Sequence, residues 1–375
     1  MDIRLKIFPA IIFMLLLSVS CWGQSSDEIL KSKLDSAFSE LFSENEPGGS
    51  IFIQQGNKVL YDRSFGLADL KTKEKFTSKT VSNLGSVTKT FVAYGILILQ
   101  EKRKLSVNDH LLQFFPDFKN KGIASKIKLQ HLLTHTSGLP DSRQVEKDSL
   151  FYLTAKDEEN FRPLLSTDSL EFEPGSKWNY SNPAYNGLAL IIEKAGKMKW
   201  QHFIRKNIFR PAGMKNSTIT DGSSPEKNVA HGYILKDGTY QEYDYGEYPT
   251  FTAAGNGGVW SSVEDLKKYI RAIHECKFIS CADIQSSKTI HTPENWKDEN
   301  PMFHSGVWFV HNGFWYNYRT EEQVRVIEHA GDQGGFKSHL IMIPEKDISI
   351  IWVTNNNKFI TGPIRRILLK MKYID

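Results

Sequence analysis

Residues 85–100 read GSVTKTFVAYGILILQ, and this stretch predicts an apolar helix that begins beside a serine and a lysine. Ser86 and Lys89 are three residues apart, so on a helix their side chains lie on the same face. A serine hydroxyl needs an adjacent base to act as a nucleophile, and burial lowers the pKa of a lysine toward the range of a base. Unpaired N–H groups at a helix start also favour negative charge that develops there. The stretch therefore predicts that Ser86 is a nucleophile and that Lys89 is its half-buried base.

The Ser-x-x-Lys spacing is a weak signal by itself, because it occurs twice more, at Ser125/Lys128 and at Ser224/Lys227. Ser125 lies in a charged stretch, and Ser224 is followed by Pro225 in a turn-like segment. Both copies are interpreted as solvated surface. The choice of Ser86 therefore depends on what the rest of the chain provides.

A second element is Tyr180-Ser181-Asn182, the single Tyr-x-Asn of the chain. Pro174-Gly175 before it and Pro183 after it predict a loop that ends at a helix start. A tyrosine in this loop can relay a proton between nucleophile and leaving group, provided that nearby cations keep its phenol acidic. Asn182 can donate to a substrate carbonyl and accept from Lys89.

A third element is His329-Ala330-Gly331, followed by Asp332. A small residue and a glycine on an edge strand let a substrate backbone approach closely. The N–H groups of Asp332 and Ser86 can then form an oxyanion hole. His329 is interpreted as a strand residue that holds Tyr180 by a hydrogen bond.

At these three elements the chain resembles the serine β-lactamase-like family, in the branch that contains class C β-lactamases, serine D-Ala-D-Ala carboxypeptidases and related esterases. The resemblance covers roughly residues 28–372, and the stretches 132–140, 208–214 and 254–262 also look like the family. It implies an acylated nucleophile, a proton-transfer pair and a set of substrate-binding residues. In this chain the implied nucleophile is Ser86, and the implied proton-transfer pair is Lys89 and Tyr180. The implied substrate-binding residues are Asn182, His329, Gly331 and Asp332.

The third element departs from the family pattern. Class C β-lactamases usually have Lys-Thr-Gly where this chain has His329-Ala330-Gly331, and a hydroxyl residue is common where it has Asp332. The lysine and the threonine help to hold the substrate carboxylate, and a neutral imidazole attracts a carboxylate less than an ammonium does. The sequence therefore predicts weak β-lactam turnover and a preference for esters or amides without a free carboxylate beside the scissile bond.

The coarse layout predicts an α/β (α+β) fold in one domain over residues 24–375, and the resemblance implies that this fold is β-lactamase/transpeptidase-like. A helix near 27–44, a hairpin that turns at Gly56-Asn57, and strands at 339–343 and 348–353 predict an antiparallel sheet built from both chain ends and flanked by helices. A mainly helical subdomain is expected at roughly 104–245. The active site is expected in the cleft between the sheet and this subdomain.

Composition limits the possible partners. The net charge of +4 is small and spread along the 375 residues, so it gives no case for nucleic-acid binding. The resemblance implies a small-molecule or peptide substrate, including one derived from the cell wall. His131 and His135 are four residues apart but lack the glutamate of a His-Glu-x-x-His zinc site, so no metal and no cofactor are expected. We interpret His135 as a residue that fixes a loop near the cleft. The His311-Asn312-Gly313 copy of the third element is interpreted as a hairpin turn between two aromatic strand segments.

The N-terminus has the pattern of a secretory signal peptide over residues 1–23, with Arg4 and Lys6 before an apolar run. We therefore expect a periplasmic or secreted protein, and lipid attachment at Cys21 is the less favoured alternative. No further segment is expected to span a membrane. Cys276 and Cys281 can form a disulfide in an oxidising compartment or remain two free thiols.

Two classes of function remain. The first is a hydrolase that acts through an acyl-serine on ester, amide or peptide bonds, with a class C-like β-lactamase or D-Ala-D-Ala carboxypeptidase as the nearest variant. The second is a penicillin-binding sensor that captures its ligand without turnover. The presence of Ser86, Lys89 and Tyr180 together favours the hydrolase.

Overall fold

The computed structural model describes residues 25–141, 154–243, 252–312 and 324–374, together with the backbone of two short strands at Phe314–Trp315 and Tyr318–Arg319. The expected signal peptide, residues 1–23, lies outside these ranges. Within them, no helix is both long enough and apolar enough to cross a bilayer.

The largest element is a six-stranded antiparallel sheet, in the order β2-β1-β6-β5-β4-β3. It places the N-terminal strand β1 beside the C-terminal strand β6, with Ile51 opposite Trp352. The predicted sheet from both chain ends is therefore confirmed, as is the hairpin turn at Gly56, whose φ of +54° suits glycine. Its strands are β1 (Gly49–Gln55), β2 (Lys58–Phe65), β3 (Phe309–Asn312), β4 (Arg325–Gln333), β5 (Phe336–Ile343) and β6 (Ile348–Thr354).

Five helices of ten or more residues accompany the sheet in the described ranges: α1 (Ser26–Leu41), α2 (Thr88–Glu101), α3 (Asn182–Gly196), α4 (Val263–His274) and α5 (Thr361–Lys370). Shorter helices lie at Leu111–Phe114, Lys121–Lys126, Leu129–Leu133, Asp157–Phe161, Trp200–Ile204, Arg210–Ala212, Ala254–Gly257 and Cys281–Ser286. Single turns of 3₁₀ or π type occur at Gly85–Val87, Arg162–Ser166, Arg205–Phe209 and Pro344–Lys346.

The sheet separates two apolar cores, because side chains alternate between its faces. One face packs against α1 and α5, and its strands contribute Ile51, Ile53, Ile341, Ile343, Ile350 and Trp352. The other face packs against the remaining helices and contributes Phe52, Leu340, Met342, Ile351 and Val353. Nearly every residue of α2 is buried in this second core, so α2 is the central helix of the fold.

The predicted helical subdomain is helical only in its first part. After the short helix at Arg210–Ala212 come a two-residue strand at Thr218–Ile219 and a hairpin of Tyr233–Lys236 with Thr239–Glu242. Asp237-Gly238 forms the turn of that hairpin with positive φ at both residues, a hairpin signal that the sequence analysis did not use. The boundaries of the subdomain stay a prediction.

Cys276 and Cys281 form a disulfide, with their Cα atoms 5.1 Å apart. The sequence allowed either a disulfide or two free thiols, and the structure contains the disulfide. The bridge links the segment after α4 to the first turn of the next short helix.

Two glycines allow strand β4 to lie against the turn that carries Ser86. A Cβ atom on Gly331 would be 1.9 Å from the carbonyl oxygen of Leu84, and a Cβ atom on Gly85 would be 2.6 Å from the backbone nitrogen of Asp332. We expected Gly331 to make room for a substrate backbone. Instead, the space left by its missing side chain is filled by Leu84, so this glycine fixes the distance between the sheet and the nucleophile.

Gly331→Ala should therefore destabilise the protein by about 1–3 kcal/mol, the usual cost of forcing extra volume into a packed region. It should also slow acylation of Ser86, since the strand or the turn must shift. Thermal unfolding and the acylation rate measure both effects. Gly222→Ala is the matched control, because a Cβ atom there meets no other heavy atom within 4 Å. Equal melting temperatures for the two variants would contradict the packing argument.

Candidate active site

Ser86 lies in the 3₁₀ turn Gly85–Val87, immediately before α2. The turn is held on both sides, since Asn83 Oδ1 accepts from Gly85 N at 2.7 Å and Ser338 Oγ donates to Leu84 O at 2.7 Å. The predicted position of Ser86 at a helix start is confirmed.

Lys89 is completely buried rather than half-buried as we expected. Its Nζ lies 3.0 Å from Ser86 Oγ and donates to Asn256 O at 2.9 Å. The rings of Tyr180 and Tyr185 cover it, with centroids 5.0 and 5.7 Å from Nζ. The reason for the deeper burial is the central position of α2, which α3 and the helix Ala254–Gly257 enclose. Removal from water favours the uncharged amine, the form that can accept a proton from Ser86.

Tyr180 is half-buried and lines the same cavity as Ser86, close enough for its hydroxyl to interact with that residue. Burial raises the pKa of Tyr180, and the hydrogen bond with Ser86 offsets this only in part. The expectation that nearby cations keep the phenol acidic is therefore wrong, because desolvation of the phenolate outweighs them. The phenol stays protonated at neutral pH, which suits a group that gives a proton to a leaving atom.

The loop that carries Tyr180 is positioned by His135. Ser181 N donates to His135 Nδ1 at 3.0 Å, Asn179 N donates to the backbone oxygen of His135 at 2.9 Å, and the rings of His135 and Tyr180 stack 4.4 Å apart. The structural role predicted for His135 is confirmed. Ser181 also caps α3 by accepting from Ala184 N at 3.2 Å.

Asn182 is the first residue of α3 and is partly exposed. The hydrogen bonds described for Lys89 go to Ser86 and Asn256. Contact of Asn182 with Lys89 or with substrate stays a prediction.

His329 lies on β4 with its ring buried, and burial followed by the nearby Lys89 lowers the pKa of His329 to about 3. It is therefore a neutral imidazole at physiological pH, as we assumed in predicting a preference for substrates without a carboxylate. The predicted hydrogen bond to Tyr180 is wrong. The ring packs instead against Phe309, with centroids 5.3 Å apart, and Nδ1 lies 2.9 Å from Ala330 O.

A cavity of about 450 Å³ opens in front of Ser86. Strand β3 pairs with β4 only up to Glu328, so the edge of β4 from His329 to Asp332 borders this cavity. The backbone nitrogen of Asp332 lies beside Gly85, which fits the predicted oxyanion hole. The described lining residues are Ser86, Trp178, Tyr180, Phe303, Phe309, His311, Glu328, His329, Ala330, Gly331, Asp332, Lys337 and Phe359.

Most of the aromatic wall was not predicted from the sequence. Trp178, Phe303 and Phe359 come from three separate segments, and no local motif marks them. His311 was interpreted as part of a hairpin turn, but it lies in β3, opposite Val326. The aromatic alternation around it was the available signal for a strand.

A buried carboxylate, Asp157, organises the backbone near Lys89, and the sequence analysis missed it. Its Oδ1 accepts from Gly255 N at 2.7 Å and from Asn186 Nδ2 at 2.5 Å. Its Oδ2 accepts from Trp200 Nε1 at 3.0 Å.

The hydrogen bonds continue from Asn186 to the base. Asn186 Oδ1 accepts from Asn256 Nδ2 at 3.0 Å, and the carbonyl oxygen of Asn256 is the acceptor of Lys89. Asp157 therefore holds Gly255 and Asn186, and these two residues hold Asn256, the backbone acceptor of Lys89. The hydrogen bonds of this network join residues that are 29 to 167 positions apart in the sequence, so no local spacing pattern predicts the network.

A nucleophile, a buried base and a tyrosine meet at the start of one central helix, and the Beta-lactamase family model matches residues 34–370. The chain belongs to the Beta-lactamase family. The predicted resemblance and fold are confirmed, and family membership makes the protein a serine hydrolase by class.

The chain is similar to named relatives. "Penicillin-binding protein 4*" of Bacillus subtilis (strain 168) is 29% identical over 343 residues, which are 88% of this chain and 72% of that protein. Other curated relatives are longer, and the chain spans 60% of their length.

Solved structures share the fold. The octameric penicillin-binding protein homologue from Pyrococcus abyssi has a TM-score of 0.75 at 25% identity, over 91% of this chain and 77% of that one. D-amino acid amidase from Ochrobactrum anthropi SV3 has a TM-score of 0.73 at 20% identity, over 93% and 99%.

Lys89→Met and Tyr180→Phe should each slow the chemical step by about 10²–10⁴-fold, the usual contribution of a positioned base or acid. Methionine fills most of the volume of the buried lysine stem, so folding should be retained. Single-turnover acylation by a p-nitrophenyl ester measures the step. Lys227→Met, in the surface copy of the Ser-x-x-Lys spacing, is the control and should not change the rate. Full activity of Tyr180→Phe on both esters and amides would remove Tyr180 from the mechanism.

Asp157 should make stability depend on pH. Burial raises the pKa of Asp157 from 3.8 to about 6, so its contribution to stability is fully present below 3.8 and is lost as pH rises through 6. Asp157→Asn cannot titrate. The free energy of unfolding of wild type minus that of Asp157→Asn should therefore fall by about 3 kcal/mol between acidic and neutral pH, measured in urea.

The exposed Asp117→Asn is the control for this measurement, because it makes the same chemical change at a carboxylate that the fold does not bury. A difference for Asp157→Asn that is independent of pH would show that Asp157 does not titrate in this way.

Proposed function

We propose that this protein is an exported hydrolase that acts through an acyl-Ser86 intermediate on ester, amide or peptide bonds. The observation that carries the proposal is the contact of Ser86 Oγ with both the fully buried Lys89, at 3.0 Å, and the hydroxyl of Tyr180. A serine with a buried amine on one side and a protonated phenol on the other has the base and the acid that acyl transfer needs.

In the acylation step, the uncharged amine of Lys89 takes the proton of Ser86 while Oγ attacks the carbonyl carbon. The N–H groups of Ser86 and Asp332 stabilise the resulting oxyanion. Tyr180 gives a proton to the leaving oxygen or nitrogen, and the proton held by Lys89 replaces it. Water then attacks the acyl-enzyme, with the same groups acting in reverse.

Export is supported by the signal-peptide pattern of residues 1–23 and by the disulfide between Cys276 and Cys281, since disulfides persist in oxidising compartments. A periplasmic or secreted location follows, with lipid attachment at Cys21 as the less favoured route.

The substrate is an ester or amide that has an apolar group and no carboxylate beside the scissile bond. The aromatic wall supports the apolar group. The neutral ring of His329 supplies no cation for a carboxylate. The similarity to "Penicillin-binding protein 4*" favours a D-Ala-D-Ala peptide or a β-lactam as the alternative substrate. A sensor without turnover is the third candidate.

Treatment with a fluorophosphonate should give one covalent adduct per chain by intact-mass spectrometry, and Ser86→Ala should give none. Hydrolysis of small p-nitrophenyl esters should have a higher kcat/KM than hydrolysis of nitrocefin. Ser224→Ala is the control and should keep both the adduct and the activity. An unchanged adduct in Ser86→Ala would overturn the assignment, and adduct formation without any turnover would favour the sensor.

A further inference from the structure

Asp332 and Lys337 form an ion pair at the edge of the active-site cavity. They lie directly opposite each other on the neighbouring strands β4 and β5, and Lys337 Nζ donates to Asp332 Oδ2. The side chain of Lys337 is 18% exposed, whereas that of Asp332 is 69% exposed. The cation is therefore fixed in the wall, and the carboxylate that covers it is exposed to solvent.

Among the described residues that line the cavity, Lys337 carries the one ammonium group. The other acidic side chain there, Glu328, is buried and lies 3.1 Å from His339 Nε2 and 3.5 Å from His311 Nε2. Lys337 is therefore the group that a substrate carboxylate in this cavity would approach. The backbone N–H of its partner Asp332 is the one proposed for the oxyanion site, and the ion pair borders the same cavity as Ser86.

We propose that the Asp332 carboxylate is an internal competitor that occupies Lys337 and thereby selects against substrates with a carboxylate beside the scissile bond. This inference rests on the proposed function and names the residues that set its substrate class. A carboxylate tethered to the same sheet has a high effective concentration, so it outcompetes a free substrate carboxylate at ordinary concentrations. A substrate that displaced it would then face repulsion from the released Asp332.

Asp332 therefore has two separable parts. Its backbone N–H belongs to the oxyanion site and is present whatever the side chain, whereas its carboxylate acts only on selectivity. An ion pair with one solvent-exposed partner is individually weak, so Asp332 excludes anions by competition rather than by blocking the site. A single substitution should accordingly be enough to expose Lys337 to substrate.

The test uses two esters of equal size, 3-carboxyphenyl hexanoate and 3-carbamoylphenyl hexanoate, which differ in one charge on the leaving group. Wild type should hydrolyse the neutral ester with the higher kcat/KM. In Asp332→Asn the ratio of kcat/KM for the anionic ester to that for the neutral ester should rise about tenfold. This is the scale of one charge pair between the ester carboxylate and Lys337, together with the loss of repulsion from Asp332. The double variant Asp332→Asn with Lys337→Met should lose the part of this gain that depends on Lys337 and keep only the part that comes from the removed repulsion.

Asp168→Asn is the matched control. It removes one carboxylate from an exposed ion pair with Lys119, and the selectivity ratio should not change. Asp332→Ala should shift the ratio in the same direction as Asp332→Asn. It serves as the test variant if Asp332→Asn does not fold.

An unchanged ratio in both Asp332 variants overturns the proposal. A gain of the same size in the double variant also overturns it, because the effect would then be repulsion alone. Failure of wild type to hydrolyse either ester overturns the proposed function and, with it, this inference. Hydrolysis of the neutral ester with no shift in the variants overturns only the inference.

Discussion

The contact between Lys89 and Ser86 depends on keeping an amine completely out of water. Burial of an ammonium is costly, so the surroundings of Lys89 decide whether the site can work. The protein meets this constraint with one carbonyl acceptor, from Asn256, and two tyrosine rings. Asp157 in turn holds the backbone beside Asn256. The central helix α2, its enclosure by other helices and the buried carboxylate all serve this one desolvated group.

A second constraint is the closeness of the sheet to the nucleophile. Strand β4 places the backbone N–H of Asp332 beside the turn that carries Ser86, and it can do so only because neither Gly331 nor Gly85 has a side chain at the point of contact. The neighbouring strand β3 ends at the level of Glu328, which leaves the next part of β4 available to a substrate. The same edge thus binds the nucleophile turn on one side and borders the cavity on the other.

The charges around the cavity are arranged so that little net positive charge faces a substrate. His329 is neutral, because burial holds its pKa at about 3. Lys337 is paired with Asp332, and Glu328 lies between two imidazoles. Aromatic side chains form much of the remaining wall, so the described lining presents mainly apolar surface beside Ser86.

The sequence by itself determined the features that neighbouring residues control. The spacing of Ser86 and Lys89 and the hairpin at Gly56 are local. The three motifs in their order were enough to predict the family, and the strand patterns near both ends of the chain were enough to predict the sheet. Only the tertiary structure decided the burial of Lys89, the raised pKa of Tyr180 and the pairing of Asp332 with Lys337. Desolvation and cross-strand register are produced by residues that are distant in the chain, so no local pattern encodes them.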